Sequence, residues 1–129
     1  MDDTMLALAR GGMKVRGVLD PGQAAQGWAA SKTMIHPNIS LFVPKKTGVF
    51  TLRKLHHKLM VVDGTIVVAG SYNYTQPAND YNDENLFVLG SPFPTVEGIT
   101  VDAAACKALA GHLTTEIERI IAGSSPYVP

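Results

Sequence analysis

One segment in the middle of the chain combines an imidazole, an ammonium, a hydroxyl, an amide and a carboxylate. It runs from 56 to 84 and reads HHKLMVVDGTIVVAGSYNYTQPANDYNDE. Imidazole is a nucleophile and a proton donor near neutral pH, so His56 can attack phosphorus or protonate a leaving oxygen. Lys58, Ser71 and Asn73 can hold the non-bridging oxygens, on which negative charge accumulates. These residue types suit chemistry on a phosphodiester.

The elements that must position these groups are a strand, a hairpin and the loop after it. His56 and Lys58 are two residues apart, so on a strand their side chains emerge on the same face, while His57 points to the other. The uninterrupted apolar run 59–62 is typical of a strand buried on both faces. One imidazole and one cation are therefore predicted to point into one space.

The hairpin follows directly. Asp63 and Gly64 predict a two-residue turn, because both residues tolerate positive φ angles, and 65–69 predict the returning strand. At Gly70 the missing side chain lets the backbone approach a ligand closely. Asp63 lies at the turn, away from the chemical groups, and we interpret it as a structural or ion-pairing residue.

The order and spacing of these residues resemble the HKD signature of the phospholipase D superfamily. The pattern reads His56-x-Lys58-x-x-x-x-Asp63, then Gly70-Ser71-x-Asn73, then Asn82-x-Glu84. The similarity extends from segment 7–20 to the C-terminal helix. It implies a phospholipase D-type phosphodiester hydrolase or transphosphatidylase that forms a phosphohistidine, without a metal or other cofactor, and passes the phosphoryl group to water or an alcohol.

The resemblance also implies a role for each signature residue. The implied catalytic residues are His56, Lys58, Asn73 and Glu84; the phosphate ligands are Lys58, Ser71 and Asn73; the structural motif positions are Asp63, Gly70 and Asn82. Glu84 would accept a hydrogen bond from the far nitrogen of His56, which fixes the imidazole tautomer. No metal site is expected, because adjacent His56 and His57 diverge on a strand and no nearby Cys or carboxylate completes a ligand set.

Two departures from the family pattern concern the completeness of the site. Only one HKD set is present, whereas the family's active site uses two. By resemblance to the family, the chain is also expected to lack the strand and helix that open the family's domain. The second histidine would come from a homodimer partner or from a missing N-terminal half, which we favour. His56 would then be the general acid. An endonuclease of the same superfamily, acting as a homodimer, and a non-catalytic half-domain that needs a partner half are alternatives.

The alternation of helices and strands predicts an α/β fold, with a mixed β-sheet flanked by helices in layers. At 129 residues the chain is expected to form a single domain, 1–129, possibly truncated at its N-terminus. Helices are expected from residue 3 or 4 to 9, at 23–35 and at 101–122, and further strands at 13–19, 39–43 and 85–89.

Charge does not select the substrate. Eleven basic residues balance eleven acidic ones, which weakly disfavours a nuclease. Five cations fall within fourteen residues and would help to hold a phosphate, or form only a solvated loop: Lys45, Lys46, Arg53, Lys54 and Lys58. No exposed apolar loop is identified as a membrane anchor, which counts against a lipid. Phospholipid is nevertheless the favoured substrate, and nucleic acid is the alternative.

The N-terminus begins with acidic residues and shows no signal peptide, and no apolar run reaches membrane-spanning length. We expect a soluble protein without a transmembrane segment, cytoplasmic if the chain is complete and secreted if it is a fragment; its compartment is not determined. The single Cys106 cannot form an internal disulfide.

Overall fold

The computed structural model describes residues 2–45, 54–73, 80–91 and 101–129. Two compact units are present: unit 1 comprises Met1–His56 and Ile117–Pro129, and unit 2 comprises His57–Glu116. The elements are helices α1 (Asp2–Arg10), α2 (Pro21–Ala24) and α3 (Ala103–Ala122), and strands β1 (Val15–Val18), β2 (Ile39–Pro44), β3 (Leu59–Val62), β4 (Ile66–Gly70), β5 (Leu86–Leu89) and β6 (Ser124–Pro126). The predicted α/β class is confirmed.

Unit 1 contains a mixed three-stranded sheet in the order β1-β2-β6. Strand β1 pairs with β2 in parallel, and β2 pairs with β6 antiparallel. Helix α1 ends as predicted at two glycines, where Gly12 has a φ of 97° and the amide of Gly11 donates to the carbonyl of Ala7 at 3.0 Å. A left-handed residue at this position satisfies the last carbonyls of a helix.

The predicted helix over 23–35 is wrong. Helix α2 ends at Ala24, and a short 3-10 helix, Ala30–Lys32, is the next element. Between them the amide of Ala29 donates to the carbonyl of Gln26 at 3.1 Å, a bond that closes a turn and does not continue the helix. Gly27 costs about 1 kcal/mol relative to alanine inside a helix, and the alanine-rich composition does not offset that cost.

Unit 2 contains an antiparallel three-stranded sheet in the order β3-β4-β5. Its centre is Val67 on β4, which is only 1% exposed. Strand β3 is half-buried along its length, so the prediction that it is buried on both faces is wrong. Among the described strands it lies at the edge of this sheet, paired with β4 alone.

The turn between β3 and β4 has the predicted backbone. Asp63 and Gly64 have φ angles of 51° and 64°, and both signs are those that a type I′ turn requires. The register pairs Val62 with Ile66, so the loop contains three residues and not the predicted two. The extra residue is Thr65, whose amide donates to the carbonyl of Val62 at 3.1 Å.

Helix α3 begins directly after Asp102, whose carboxylate accepts a hydrogen bond from the amide of Ala105 at 2.9 Å, as N-terminal caps do. Ala110, Ile120 and Ile121 are buried. Leu109, expected on the apolar face, is 37% exposed. Within the described residues, no helix combines the length and the apolar character needed to cross a membrane.

Candidate active site

A hydrogen-bonded cluster joins the end of β4 to the segment before β5. The Ser71 hydroxyl donates to one oxygen of the Glu84 carboxylate, and the Asn82 side-chain amide donates to the other at 3.1 Å. The backbone amide of Asn85 donates to Ser71 Oγ at 3.0 Å. We call these four residues the carboxylate cluster. It brings together residues of the last two elements of the HKD signature, Gly70-Ser71-x-Asn73 and Asn82-x-Glu84.

The register of the sheet explains why the cluster forms. Gly70 lies opposite Leu86 in the β4–β5 ladder, so the next residue, Ser71, meets Asn85 and donates its amide to that residue's carbonyl at 3.1 Å. A Cβ atom at Gly70 would lie 2.2 Å from the Asn85 carbonyl oxygen. The close approach of the Asn85 backbone therefore requires a glycine at this position. The predicted approach of a ligand at Gly70 stays a prediction.

The surroundings of Glu84 favour its ionised form. The hydrogen bonds from the Ser71 hydroxyl and the Asn82 amide, and less strongly the Lys58 charge, lower the pKa of Glu84 and together outweigh the opposing effect of desolvation. Hydrogen bonds donated to a carboxylate stabilise the charged form. Glu84 therefore carries its negative charge throughout the neutral pH range. In this form its carboxylate can accept a hydrogen bond from an imidazole N–H.

The hydroxyl of Ser71 has two partners in this cluster. It donates its proton to Glu84 and accepts from Asn85. A hydroxyl has only one proton to donate, so its predicted contact with a substrate phosphate requires a change of partner and stays a prediction. The role visible in the structure is to hold the Glu84 carboxylate.

Lys58 and Asn73 flank the carboxylate cluster along the chain. Lys58 is half-buried and directly precedes β3, and Asn73 is exposed two residues after Ser71. Lys58 is close enough to Glu84 for its charge to influence that carboxylate. The predicted phosphate contacts of Lys58 and Asn73 remain predictions.

His56 lies just outside the strand on which we had placed it. Strand β3 begins at Leu59, opposite Ala69, so His56 and Lys58 precede the paired residues, and the predicted strand is wrong at this point. His56 is exposed and is the last residue of the first segment of unit 1. Its hydrogen bond to Glu84 remains a prediction.

Asp20 is a residue of the site region that sequence analysis missed. One of its carboxylate oxygens caps α2 by accepting from the amides of Gly22 at 2.9 Å and Gln23 at 3.1 Å. The other accepts from the amide of Leu55 at 3.2 Å. Leu55 directly precedes His56, so Asp20 anchors the backbone next to the predicted catalytic imidazole. The Asp-Pro pair signals a helix cap, but no local pattern signals the contact with Leu55.

The remaining predicted positions are as follows. Asp63 lies in the turn, at the opposite end of β4 from Ser71. No group of three or more His, Cys, Asp or Glu side chains in the described parts of the chain could hold a metal ion. Of the five clustered cations, Lys46 and Arg53 fall outside the described residues.

Comparison with protein families gives one match that covers nearly the whole chain. Residues 1–119 match the family described as cardiolipin synthase, phospholipase D-like domain. The match includes every residue of the carboxylate cluster, as well as His56 and Lys58.

Curated proteins with sequences similar to this chain include members of the same family. The chain is 30% identical over 92 residues to a mitochondrial cardiolipin hydrolase of Chlamydomonas reinhardtii, covering 71% of this chain and 39% of that protein. It is 28% identical over 78 residues to a phospholipase D of Rickettsia felis, covering 60% and 36%. The chain thus spans less than two fifths of the length of these relatives.

Solved structures show the same fold. Nuc of Salmonella typhimurium, a phospholipase D family member, superposes with a TM-score of 0.75 at 21% identity, covering 99% of this chain and 73% of that one. NucT of Helicobacter pylori superposes with a TM-score of 0.68 at 17% identity, covering 94% and 70%. With the family match and the carboxylate cluster, these similarities lead to one conclusion: the chain belongs to the phospholipase D superfamily of phosphodiesterases.

Proposed function

We propose that this chain supplies one half of a phospholipase D-type active site that hydrolyses or transfers a phosphodiester through a phosphohistidine. The observation that carries the proposal is the carboxylate cluster, an ionised Glu84 held beside Lys58 by groups in the order of the HKD signature. Such a carboxylate can orient an imidazole and stabilise its protonated form.

The proposed reaction uses two imidazoles. A nitrogen of one histidine attacks phosphorus, and the bond from phosphorus to the leaving oxygen breaks. The second histidine gives its proton to that oxygen. Water, or an alcohol in the transfer reaction, then attacks phosphorus, loses its proton to the second histidine and breaks the P–N bond. His56 is one of the two histidines, and no metal ion takes part.

A phospholipid is the proposed substrate class. The relatives named as cardiolipin hydrolase and phospholipase D support it. The second histidine would come from another copy of this chain or from a further HKD half. A nuclease, and a half-domain without turnover, are the outcomes against which the proposal is tested.

The test is hydrolysis of a model phosphodiester by purified protein with chelator present. We expect activity that survives the chelator and is lost in His56→Ala, because no other group supplies the nitrogen nucleophile or acid at that position. His57→Ala is the matched control, since it removes the adjacent imidazole, and it should retain activity. Metal-dependent hydrolysis would contradict the mechanism, and turnover of DNA without turnover of phosphatidylcholine would contradict the substrate class.

A further inference from the structure

Asn85 holds Ser71 through three hydrogen bonds, all within unit 2. The Ser71 amide donates to the Asn85 backbone carbonyl at 3.1 Å and to the Asn85 side-chain oxygen, Oδ1, at 3.0 Å. The Asn85 amide in turn donates to Ser71 Oγ at 3.0 Å. One residue therefore holds both the backbone and the hydroxyl of Ser71, and that residue is not part of the HKD signature.

The side chain of Asn85 makes a contribution that its backbone does not. Any residue at position 85 can offer the backbone carbonyl and the backbone amide, but the bond to Oδ1 requires a side-chain acceptor. The Asn85 side chain is exposed, so packing against apolar neighbours does not explain its placement. A Cβ atom at Gly70 would lie 3.0 Å from Oδ1, so the signature glycine also leaves room for this oxygen.

The bonds from Asn85 fix the direction of the Ser71 proton. A serine hydroxyl has one proton and two lone pairs, and its proton rotates to suit its partners. Because the Asn85 amide donates to Oγ, the Ser71 proton is available to another acceptor, and it goes to the Glu84 carboxylate. Hydrogen bonds in such a chain polarise and strengthen one another. The Asn85 amide therefore makes the Ser71 hydroxyl a better donor to Glu84.

The two asparagines that flank Glu84 act on it by different routes. Asn82 donates directly to the carboxylate at 3.1 Å. Asn85 holds Ser71, and the Ser71 hydroxyl makes the largest contribution to the lowered pKa of Glu84. The influence of Asn85 on the carboxylate thus passes through Ser71.

We propose that Asn85 is a positioning residue of the active site, which fixes the Ser71 hydroxyl and thereby holds the Glu84 carboxylate in place for the catalytic imidazole. This proposal rests on the proposed function in one respect, since the imidazole is the group that the carboxylate orients. Without the bond to Oδ1, the Ser71 backbone is held less firmly at the end of β5, and Oγ leaves its place between Asn85 and Glu84.

A purely structural role for Asn85 leads to a different expectation. If Oδ1 only completes the end of the β4–β5 ladder, its loss lowers the free energy of unfolding and leaves the bond from Ser71 to Glu84 intact. The pKa of Glu84 then stays the same. Measuring that pKa separates a positioning role from a structural one.

Asn85→Ala removes Oδ1 and retains the backbone groups of residue 85. We expect the pKa of Glu84 to rise toward its ordinary value, and the Ser71 side chain to populate several rotamers instead of one. A pH titration of the glutamate side-chain carbons and the scalar couplings of Ser71, both by NMR, measure the two effects.

Asp83→Ala is the matched control, because it truncates the residue on the other side of Glu84. Asp83 is also exposed, and within the described part of the chain it is not among the groups that shift the pKa of Glu84. The control should leave the pKa of Glu84 and the Ser71 rotamer unchanged. Asn85→Gln is a second test variant, since it keeps the amide but displaces its oxygen by one methylene, and it should act as Asn85→Ala does.

A double-mutant cycle tests whether Asn85 acts through Ser71. In a chain that already contains Ser71→Ala, Asn85→Ala should leave the pKa of Glu84 where Ser71→Ala alone places it, because the intermediate hydroxyl is absent. A further rise in the double variant would show that Asn85 acts on the carboxylate by another route.

Turnover gives a second readout that a structural role would not change. We expect Asn85→Ala to lower kcat by about tenfold with little change in KM, because the carboxylate no longer holds the imidazole in its reactive position. The acid limb of the profile of kcat against pH should move to higher pH, since Glu84 takes up its proton at a higher pH. Asp83→Ala should keep the kcat and the pH profile of the wild type.

Three results would overturn the positioning role: an unchanged pKa of Glu84 in both Asn85 variants, a further rise in the double variant, and an unchanged kcat in Asn85→Ala despite a raised pKa. Failure of the proposed function looks different. A wild-type chain that hydrolyses no phosphodiester contradicts the catalytic proposal, and the NMR titration and the double-mutant cycle then decide by themselves whether Asn85 holds the carboxylate.

Discussion

The Ser71 hydroxyl makes the largest single contribution to the low pKa of Glu84. We expect Ser71→Ala to raise the pKa of Glu84 toward its ordinary value, because the donor that stabilises the carboxylate is removed. The measurement is a pH titration of the glutamate side-chain carbons by NMR. Ser40→Ala, an exposed serine on β2, is the control. An unchanged pKa of Glu84 in Ser71→Ala would show that the cluster does not exist in solution.

The same lowered pKa predicts how stability depends on pH. When the pKa of a carboxyl group is lower in the folded chain than in the unfolded chain, its charge stabilises the fold at pH values above the unfolded-state pKa. This contribution is lost as the pH falls through the folded-state pKa. Glu84→Gln should therefore lower the free energy of unfolding at neutral pH, and the difference from wild type should shrink in acid below the lowered pKa of Glu84. Denaturant unfolding of Glu84→Gln and wild type at several pH values measures the difference in the free energy of unfolding. A difference that does not change with pH would contradict the prediction.

Asp20 lends itself to a substitution that separates its two contacts. Asparagine is as good a helix cap as aspartate, but its amide nitrogen cannot accept the Leu55 amide proton. We expect Asp20→Asn to retain most of the stability and to lower kcat by about tenfold with little change in KM, because a misplaced catalytic group costs transition-state stabilisation. Asp20→Glu, which keeps both acceptors, should recover part of kcat. Equal kcat in Asp20→Asn and wild type would show that Asp20 only caps α2.

At the scale of elements, the close pairing of β4 and β5 depends on the absence of a side chain at Gly70. A Cβ there would meet two backbone atoms of Asn85, at 2.2 and 2.9 Å, and backbone cannot move aside cheaply. We expect Gly70→Ala to destabilise the fold by about 1–3 kcal/mol, the usual cost of overpacking, and to raise the pKa of Glu84 by disturbing the carboxylate cluster.

Gly111→Ala is the matched control for that substitution. A Cβ at Gly111 meets no atom within 4 Å, and the residue lies inside α3. Alanine there should stabilise the chain by about 0.5–1 kcal/mol through its higher helix propensity. Denaturant midpoints should therefore move in opposite directions for the two substitutions. Equal midpoints would contradict the close approach at Gly70.

For the whole molecule, the proposed reaction requires a second histidine besides His56. If a second copy of this chain supplies it, active sites in a mixture of wild-type and His56→Ala chains need two wild-type partners. We expect activity to fall as the square of the wild-type fraction once subunits have exchanged, and activity per chain to fall on dilution. A linear dependence in the mixture, with a monomeric mass in solution, would exclude a site completed by a second copy.

The sequence by itself determined the family, the order of the signature residues and most elements. Helix α1, strands β1 to β5 and the positive φ angles at Asp63 and Gly64 follow from periodicity and turn chemistry, which act over a few residues. Strand β6 was not predicted. The helix over 23–35 does not form because Gly27 disfavours it locally, although the alanine-rich composition favours a helix.

Only the tertiary structure decided which partners the polar groups take. The proton of Ser71 goes to Glu84 because the β4–β5 register brings Asn85 beside Ser71, and Asp20 reaches Leu55 across 35 residues of sequence. The Tyr127 hydroxyl likewise reaches Ser31 and Ala24, 96 and 103 residues away in the sequence. These contacts join segments far apart in the chain, and strand register and chain reversal, which no local pattern encodes, determine their geometry.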